Sequence, residues 1–97
     1  MARVVVVPAA RADLDTLITT HGLPSDTRSR FRQSIRPLRR FPNLGPGLVG
    51  RWAGFRFVLG PWRWMVIVYL YDESSDTVAV VTVQDARRAE SATAEPK

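Results

Sequence analysis

Three strand-like runs in the second half of this chain, at about 48–59, 62–71 and 77–84, constrain its fold more than any other feature. Gly60-Pro61 separates the first two, and the polar segment from Asp72 to Asp76 separates the last two. Connections that short leave no room for a crossover, so neighbouring runs form antiparallel hairpins. Residues 3–7 read as a further short strand, stopped by Pro8. The stretch between is helical in pattern. The order strand, helix, helix, strand, strand, strand predicts an α+β domain, with two N-terminal helices packed on an antiparallel sheet of about four strands. The first strand is expected to pair with the last hairpin.

The first helix is predicted from Ala9 to about Thr20, after Pro8 and before the terminator Gly22, with Leu14, Leu17 and Ile18 facing the core. The second is expected to start near Ser25 or Asp26, with Phe31, Ile35 and Leu38 as its buried stripe. Pro37 should end or kink it, because proline removes the bond to the Gln33 carbonyl. Residues 42–47 form a loop. Residues 1–88 are expected to make a single domain, and 89–97, small and polar, a disordered tail.

Cysteine is absent, which excludes disulfides and cysteine-held zinc and is compatible with a cytoplasmic protein. No apolar run approaches the roughly 20 residues that span a bilayer, so no membrane partner is expected.

Charge is distributed unevenly. Between Asp26 and Asp72 lie nine arginines and no carboxylate: Arg28, Arg30, Arg32, Arg36, Arg39, Arg40, Arg51, Arg56 and Arg63. The only lysine is Lys97. Guanidinium groups fork onto phosphates and stack on bases, and they do not give up a proton near neutrality. Such a block attracts phosphates or an acidic protein. Compositional bias toward arginine explains part of the scarcity of lysine and less of the missing carboxylates.

Alternation along strands allows a register to be worked out. A two-residue loop at Gly60-Pro61 would set Arg56 opposite Met65 and Val58 opposite Arg63, placing both arginines on one face. Pairing Tyr71 with Thr77 then sets Arg63 opposite Asp85, with Arg87 following. In this register Tyr69 and Tyr71 share the arginine face. Phe55, Phe57, Leu59, Trp62, Trp64, Val66, Val68 and Leu70 face the helices. A slip or bulge would redistribute them, and Gly50 and Gly54 make a bulge reasonable.

From Val5 to Arg88 the arrangement resembles the RelE/ParE superfamily of type II toxin–antitoxin toxins. The resemblance rests on an ordered set of weak motifs: the helix with Ala9, Ala12, Asp13 and Leu14; the segment Ile35 to Leu38 followed by Phe41-Pro42; Leu48-Val49-Gly50; Gly54-Phe55-Arg56; the turn Gly60-Pro61-Trp62-Arg63; and the final strand ending in Gln84-Asp85-Ala86-Arg87-Arg88. It implies a small toxin neutralised by a cognate antitoxin that wraps the sheet and helices. RelE-like members enter the ribosomal A site and cleave messenger RNA by attack of the 2′-hydroxyl on the adjacent phosphate. Basic side chains stabilise the added negative charge. On that branch Arg63, Arg87 and Arg56 match catalytic positions, Asp85 is the candidate carboxylate, and Arg51, Arg88, Arg39 and Arg40 are candidates for RNA binding. That chemistry needs neither metal nor cofactor. ParE-like members share the fold but target DNA gyrase. A plain nucleic-acid-binding or inactive module is the third reading.

The chain departs from the nuclease pattern. The family's lysines and its C-terminal stacking aromatic are missing, and Asp85 among arginines is expected to be a weak base. His21, at a helix end before Gly22, reads as structural. Trp52, Trp62 and Trp64 are candidates for stacking on bases or for the core.

Overall fold

The computed structural model describes residues 1–88 and 91–93. Its elements are β1 (Arg3–Val6), α1 (Pro8–His21), α2 (Thr27–Ile35), a 3-10 turn over Arg36–Arg39, a second over Gly50–Trp52, then β2 (Arg56–Leu59), β3 (Met65–Asp72) and β4 (Thr77–Asp85). The sheet order is β1-β4-β3-β2. The three C-terminal strands form the expected antiparallel meander. β1 joins β4, as expected of the last hairpin, but runs parallel to it, from Arg3 beside Thr77 to Val6 beside Val80. Two helices cross the sheet between β1 and the meander, and that long excursion makes a parallel pairing possible.

Local chemistry explains the helix limits. Pro8 opens α1, where a missing N–H costs nothing. Gly22 closes it with a left-handed φ of 58°, its N–H reaching the Ile18 and Thr19 carbonyls. α2 stops at Ile35 and tightens into the 3-10 turn that contains Pro37. Phe31, Ile35 and Leu38 are all buried, as their spacing predicts.

The strands are where expectation and structure part. The first predicted run, 48–59, is mostly not strand. Gly50 (φ 68°) and Gly54 (φ 92°) turn the chain out of the extended region, and only Arg56–Leu59 pairs with β3. The Gly60-Pro61 connection is also wider than two residues. β3 starts at Met65, the Gly60 N–H donates to the Met65 carbonyl at 2.9 Å, and Trp62, Arg63 and Trp64 lie in the connection. On β4 the register skips Val81, since Val68 pairs with Thr82 but Tyr69 with Val80.

The helices cover the face of β3 opposite to the one expected. Met65, Ile67 and Tyr69 are fully buried and form one core with Val78, Val80 and Val83 of β4 and with Leu14, Leu17, Phe31, Ile35 and Leu38. Val66 and Val68, expected beneath the helices, project from the other face and are buried there too. β2 has moved against β3 by four residues, an even number, so Arg56 still shares a face with Met65, Ile67 and Tyr69, and what differs is which face the helices cover.

Of the tail predicted to be disordered, residues 89, 90 and 94–97 lie outside the described residues. Ser91 is buried, with its N–H on the Arg88 carbonyl at 3.1 Å. The Ala92 N–H donates to Gln84 Oε1 at 2.7 Å. No helix among the described residues is long and apolar enough to cross a membrane.

Candidate functional site

β1 covers β4 only from Thr77 to Val80, so the edge of β4 beyond Val80 has no strand beside it. α1 lies along that open edge. The Asp13 carboxylate accepts from the Thr82 hydroxyl at 2.6 Å and from the Val83 N–H at 3.2 Å, replacing the missing ladder partner. Asp13 thereby fixes how α1 runs past β4, and eight residues later, about 12 Å along the helix, His21 arrives at the end of the strand.

At that end the chain enters β3 at Met65 and leaves β4 at Asp85, and these two residues pair. The flanking segments stay joined, because the Ala86 N–H donates to the Trp64 carbonyl at 2.7 Å. The side chains around this junction form a connected cluster. His21 Nε2 lies 3.1 Å from Asp85 Oδ2. The His21 ring stacks on Trp64 at 4.7 Å and 13°. Trp62 lies nearly parallel to Trp64 with centroids 6.1 Å apart. The Arg30 guanidinium covers Trp62 and the Arg87 guanidinium covers Trp64, each at 4.9 Å.

Asp85 is the electrostatic centre of this cluster. Its side chain is 7% exposed. It accepts from Arg87 Nε at 2.9 Å, from Arg87 Nη2 at 2.8 Å and from the Arg87 backbone N–H at 2.9 Å. These bonds from Arg87 hold its carboxyl well below the ordinary range, against the opposing effect of burial, and the contact with His21 adds to them. The carboxylate is ionised throughout the physiological range, as a residue flanked by arginines should be. Arg87 is 60% exposed on its outer side.

Arg63 stands at the same end, next to Trp64 in the chain, exposed and without a hydrogen bond or ion pair among the described residues. It does not sit opposite Asp85, because the pairing of β3 with β4 is displaced by two residues, one at the turn, where Tyr71 meets Val78 rather than Thr77, and one at the skipped Val81. Arg56 is elsewhere. It pairs with Tyr69, four residues along β3 from Met65, or roughly 13 Å. Its Nη1 donates to the Gly45 carbonyl at 2.8 Å, and the Tyr69 hydroxyl accepts from the Gly45 N–H at 3.0 Å. Arg56 is thus a clamp on the 42–47 loop. Burial raises the Tyr69 hydroxyl above its ordinary pKa, as suits a neutral core group. The Tyr71 hydroxyl donates to Asp76 Oδ1 at 2.7 Å, at the far end of the strand.

The remaining candidates are spread over several elements. Arg88 is exposed and borders a cavity of about 280 Å³ with Asp13, Thr16, Asp85 and Ser91. Arg51 is exposed on the second 3-10 turn. Arg39 and Arg40 follow α2 at the opposite end of the sheet, where the Arg39 carbonyl accepts from the Ala2 N–H at 2.8 Å beside the start of β1. Arg39 there lines a groove of about 520 Å³ with Val4, Val6, Arg11, Arg32 and Arg36. Trp62 and Trp64 stack on each other and on cations, and Trp64 also on His21, so their rings are engaged within the protein. Trp52 meets Phe55 edge to face at 5.6 Å.

His21, Arg30 and Asp13 were not among the sequence candidates. Asp13, Leu17 and His21 share one helical face, which was readable. The contact between His21 and Asp85 spans 64 positions and left no local trace. Among the described residues no group of three or more His, Cys, Asp or Glu could hold a metal ion.

No family model and no curated protein matches the chain. Solved structures do. A chain of the RelBE2 toxin–antitoxin complex of Mycobacterium tuberculosis superposes with a TM-score of 0.64 at 23% identity, over 87% of this chain and 96% of that one. A chain of the chromosomal ParDE system of P. aeruginosa gives 0.68 at 14% identity, over 90% and 98%. One from the intact E. coli RelBE complex gives 0.66 at 14%, over 91% and 100%. Similarity to both named branches, across nearly the whole length of each, identifies the fold as that of the RelE/ParE superfamily toxins.

Proposed function

We propose that this chain is the toxin of a type II toxin–antitoxin module, neutralised by a cognate antitoxin, and that it acts as a ribosome-dependent endoribonuclease on messenger RNA. The observation that carries the reading is that Arg87, whose guanidinium covers Trp64, and Arg63, next to Trp64 in the chain, lie on segments joined through the Ala86–Trp64 bond. Two exposed guanidinium groups there suit a phosphate that gains charge as the 2′-oxygen attacks. Arg56 takes no part, and Asp85 acts as an anchor rather than as a base. The groove beside the open edge of β1, with Arg11, Arg32, Arg36 and Arg39 over Val4 and Val6, suits an acidic segment of the antitoxin.

Purified protein added to programmed ribosomes should cut message in the A site, and Arg63→Ala should slow cutting by about 100- to 1,000-fold. Intact message would refute the reading. The second reading is a ParE-like gyrase inhibitor. It draws support from the Asp85–Arg87 pair and the Arg56 clamp, which leave Arg63 alone of the three expected arginines without a protein partner among the described residues. Stalled supercoiling by gyrase, with message left whole, would establish it.

A further inference from the structure

We propose that His21, oriented by Asp85, is the catalytic residue that moves the proton in RNA cleavage; the assignment rests on the nuclease reading above. An arginine-only site can stabilise charge but cannot accept a proton near neutrality, and Asp85 is already committed to Arg87. His21 is the only histidine in the chain. It sits in the same cluster as the arginines, stacked on Trp64.

The hydrogen bonds around the ring suit a group that changes charge. Asp85 accepts only, so it fixes a proton on Nε2 and leaves Nδ1 as the nitrogen that exchanges. Nδ1 lies 3.0 Å from Thr20 Oγ, which in turn lies 2.9 Å from the Thr16 carbonyl. A hydroxyl has one hydrogen. With the ring neutral, Thr20 donates it to Nδ1; with the ring protonated, Thr20 turns it to Thr16 and accepts from Nδ1. Either charge state is satisfied without movement of heavy atoms, which a ring with a merely structural role does not require. Thr20 is exposed, so a ribose hydroxyl can replace it at Nδ1. Among the described residues the charged groups about the ring are Asp85 at the end of β4, Arg87 just after it and Arg30 of α2 across Trp62, with Arg63 next to Trp64 in the chain. Asp85 takes Arg87 Nε and one hydrogen of Nη2, leaving Nη1 for a phosphate oxygen.

The step balances. Nδ1 takes the proton from O2′ as the O2′–P bond forms and the P–O5′ bond breaks. The same proton is then returned to O5′, giving a 2′,3′-cyclic phosphate and a free 5′-hydroxyl. Asp85 is a positioning residue, since it sets the tautomer without touching the RNA.

The test compares wild type, His21→Gln and Asp85→Asn in cleavage on programmed ribosomes between pH 5.5 and 9, with ribosome binding and melting temperature measured alongside. His21→Gln should cut about 100-fold or more slowly with ribosome binding unchanged. The wild type should lose kcat/KM toward acid pH, and His21→Gln should not. Cutting by His21→Gln within threefold of wild type, with the same pH profile, overturns this assignment alone. A wild type that leaves message intact overturns the nuclease reading and the assignment together.

Discussion

Replacing Asp13 tests the proposal that a single carboxylate substitutes for a strand at the edge of β4. Asp13→Ala removes the acceptor of two donors, the Val83 N–H and the Thr82 hydroxyl. Val83 is 3% exposed, so its N–H cannot readily turn to water, and an unsatisfied buried donor costs about 1–3 kcal/mol. The Thr82 hydroxyl is half-buried and free to rotate, so its share is smaller. A total of about 2 kcal/mol follows, equivalent to roughly 8–16 °C in melting temperature for a domain of this size. Thermal melts monitored by circular dichroism give the total, and hydrogen exchange at the Val83 amide localises it. Thr82→Val in the Asp13→Ala background should recover part of the loss, because it deletes the orphaned hydroxyl. The chain of effects extends to the site, since α1 carries His21 to Asp85. Cleavage by Asp13→Ala should therefore fall even below the melting transition. A variant that melts within about 1 °C of wild type, with Val83 still protected, would refute the edge-cap reasoning.

Further outcomes follow from the same geometry. Gly45→Ala should destabilise by about 2 kcal/mol or more in denaturant titration, because its Cβ would fall 2.0 Å from the Phe57 carbonyl oxygen and the backbone must move. Arg63→Ala, by contrast, should leave stability within about 0.5 kcal/mol while removing activity, because the side chain is exposed and holds nothing in place. Acid should unfold the protein partly through Asp85. Its folded pKa lies below the unfolded value of about 4, so its contribution is complete above that value and declines as pH falls further. Melting temperature should drop steeply below pH 4, and Asp85→Asn should flatten that part of the curve.

Element order, helix limits and the hairpin plan were legible because each depends on neighbours in the chain. Pro8, Gly22 and Pro37 punctuate the helices through φ restrictions and missing donors that act locally. The register was less legible. It depended on the width of one connection and on one skipped residue, Val81, and neither carries a compositional signature. A one-residue displacement at the β3–β4 turn and the skipped Val81 together put Met65, not Arg63, opposite Asp85; neither decided which face of β3 the helices cover.

The concentration of arginine, the single lysine at position 97 and the absence of cysteine belong to the sequence alone, and they confine the chemistry to charge stabilisation unless a proton carrier is found. Tertiary structure decided which groups meet. It separated Arg56 from Arg63, tied Arg87 to Asp85, and carried the one histidine across 64 positions to the same carboxylate. Contacts of that kind arise from how α1 lies against an uncovered strand edge, a property of packed elements that no stretch of adjacent residues contains.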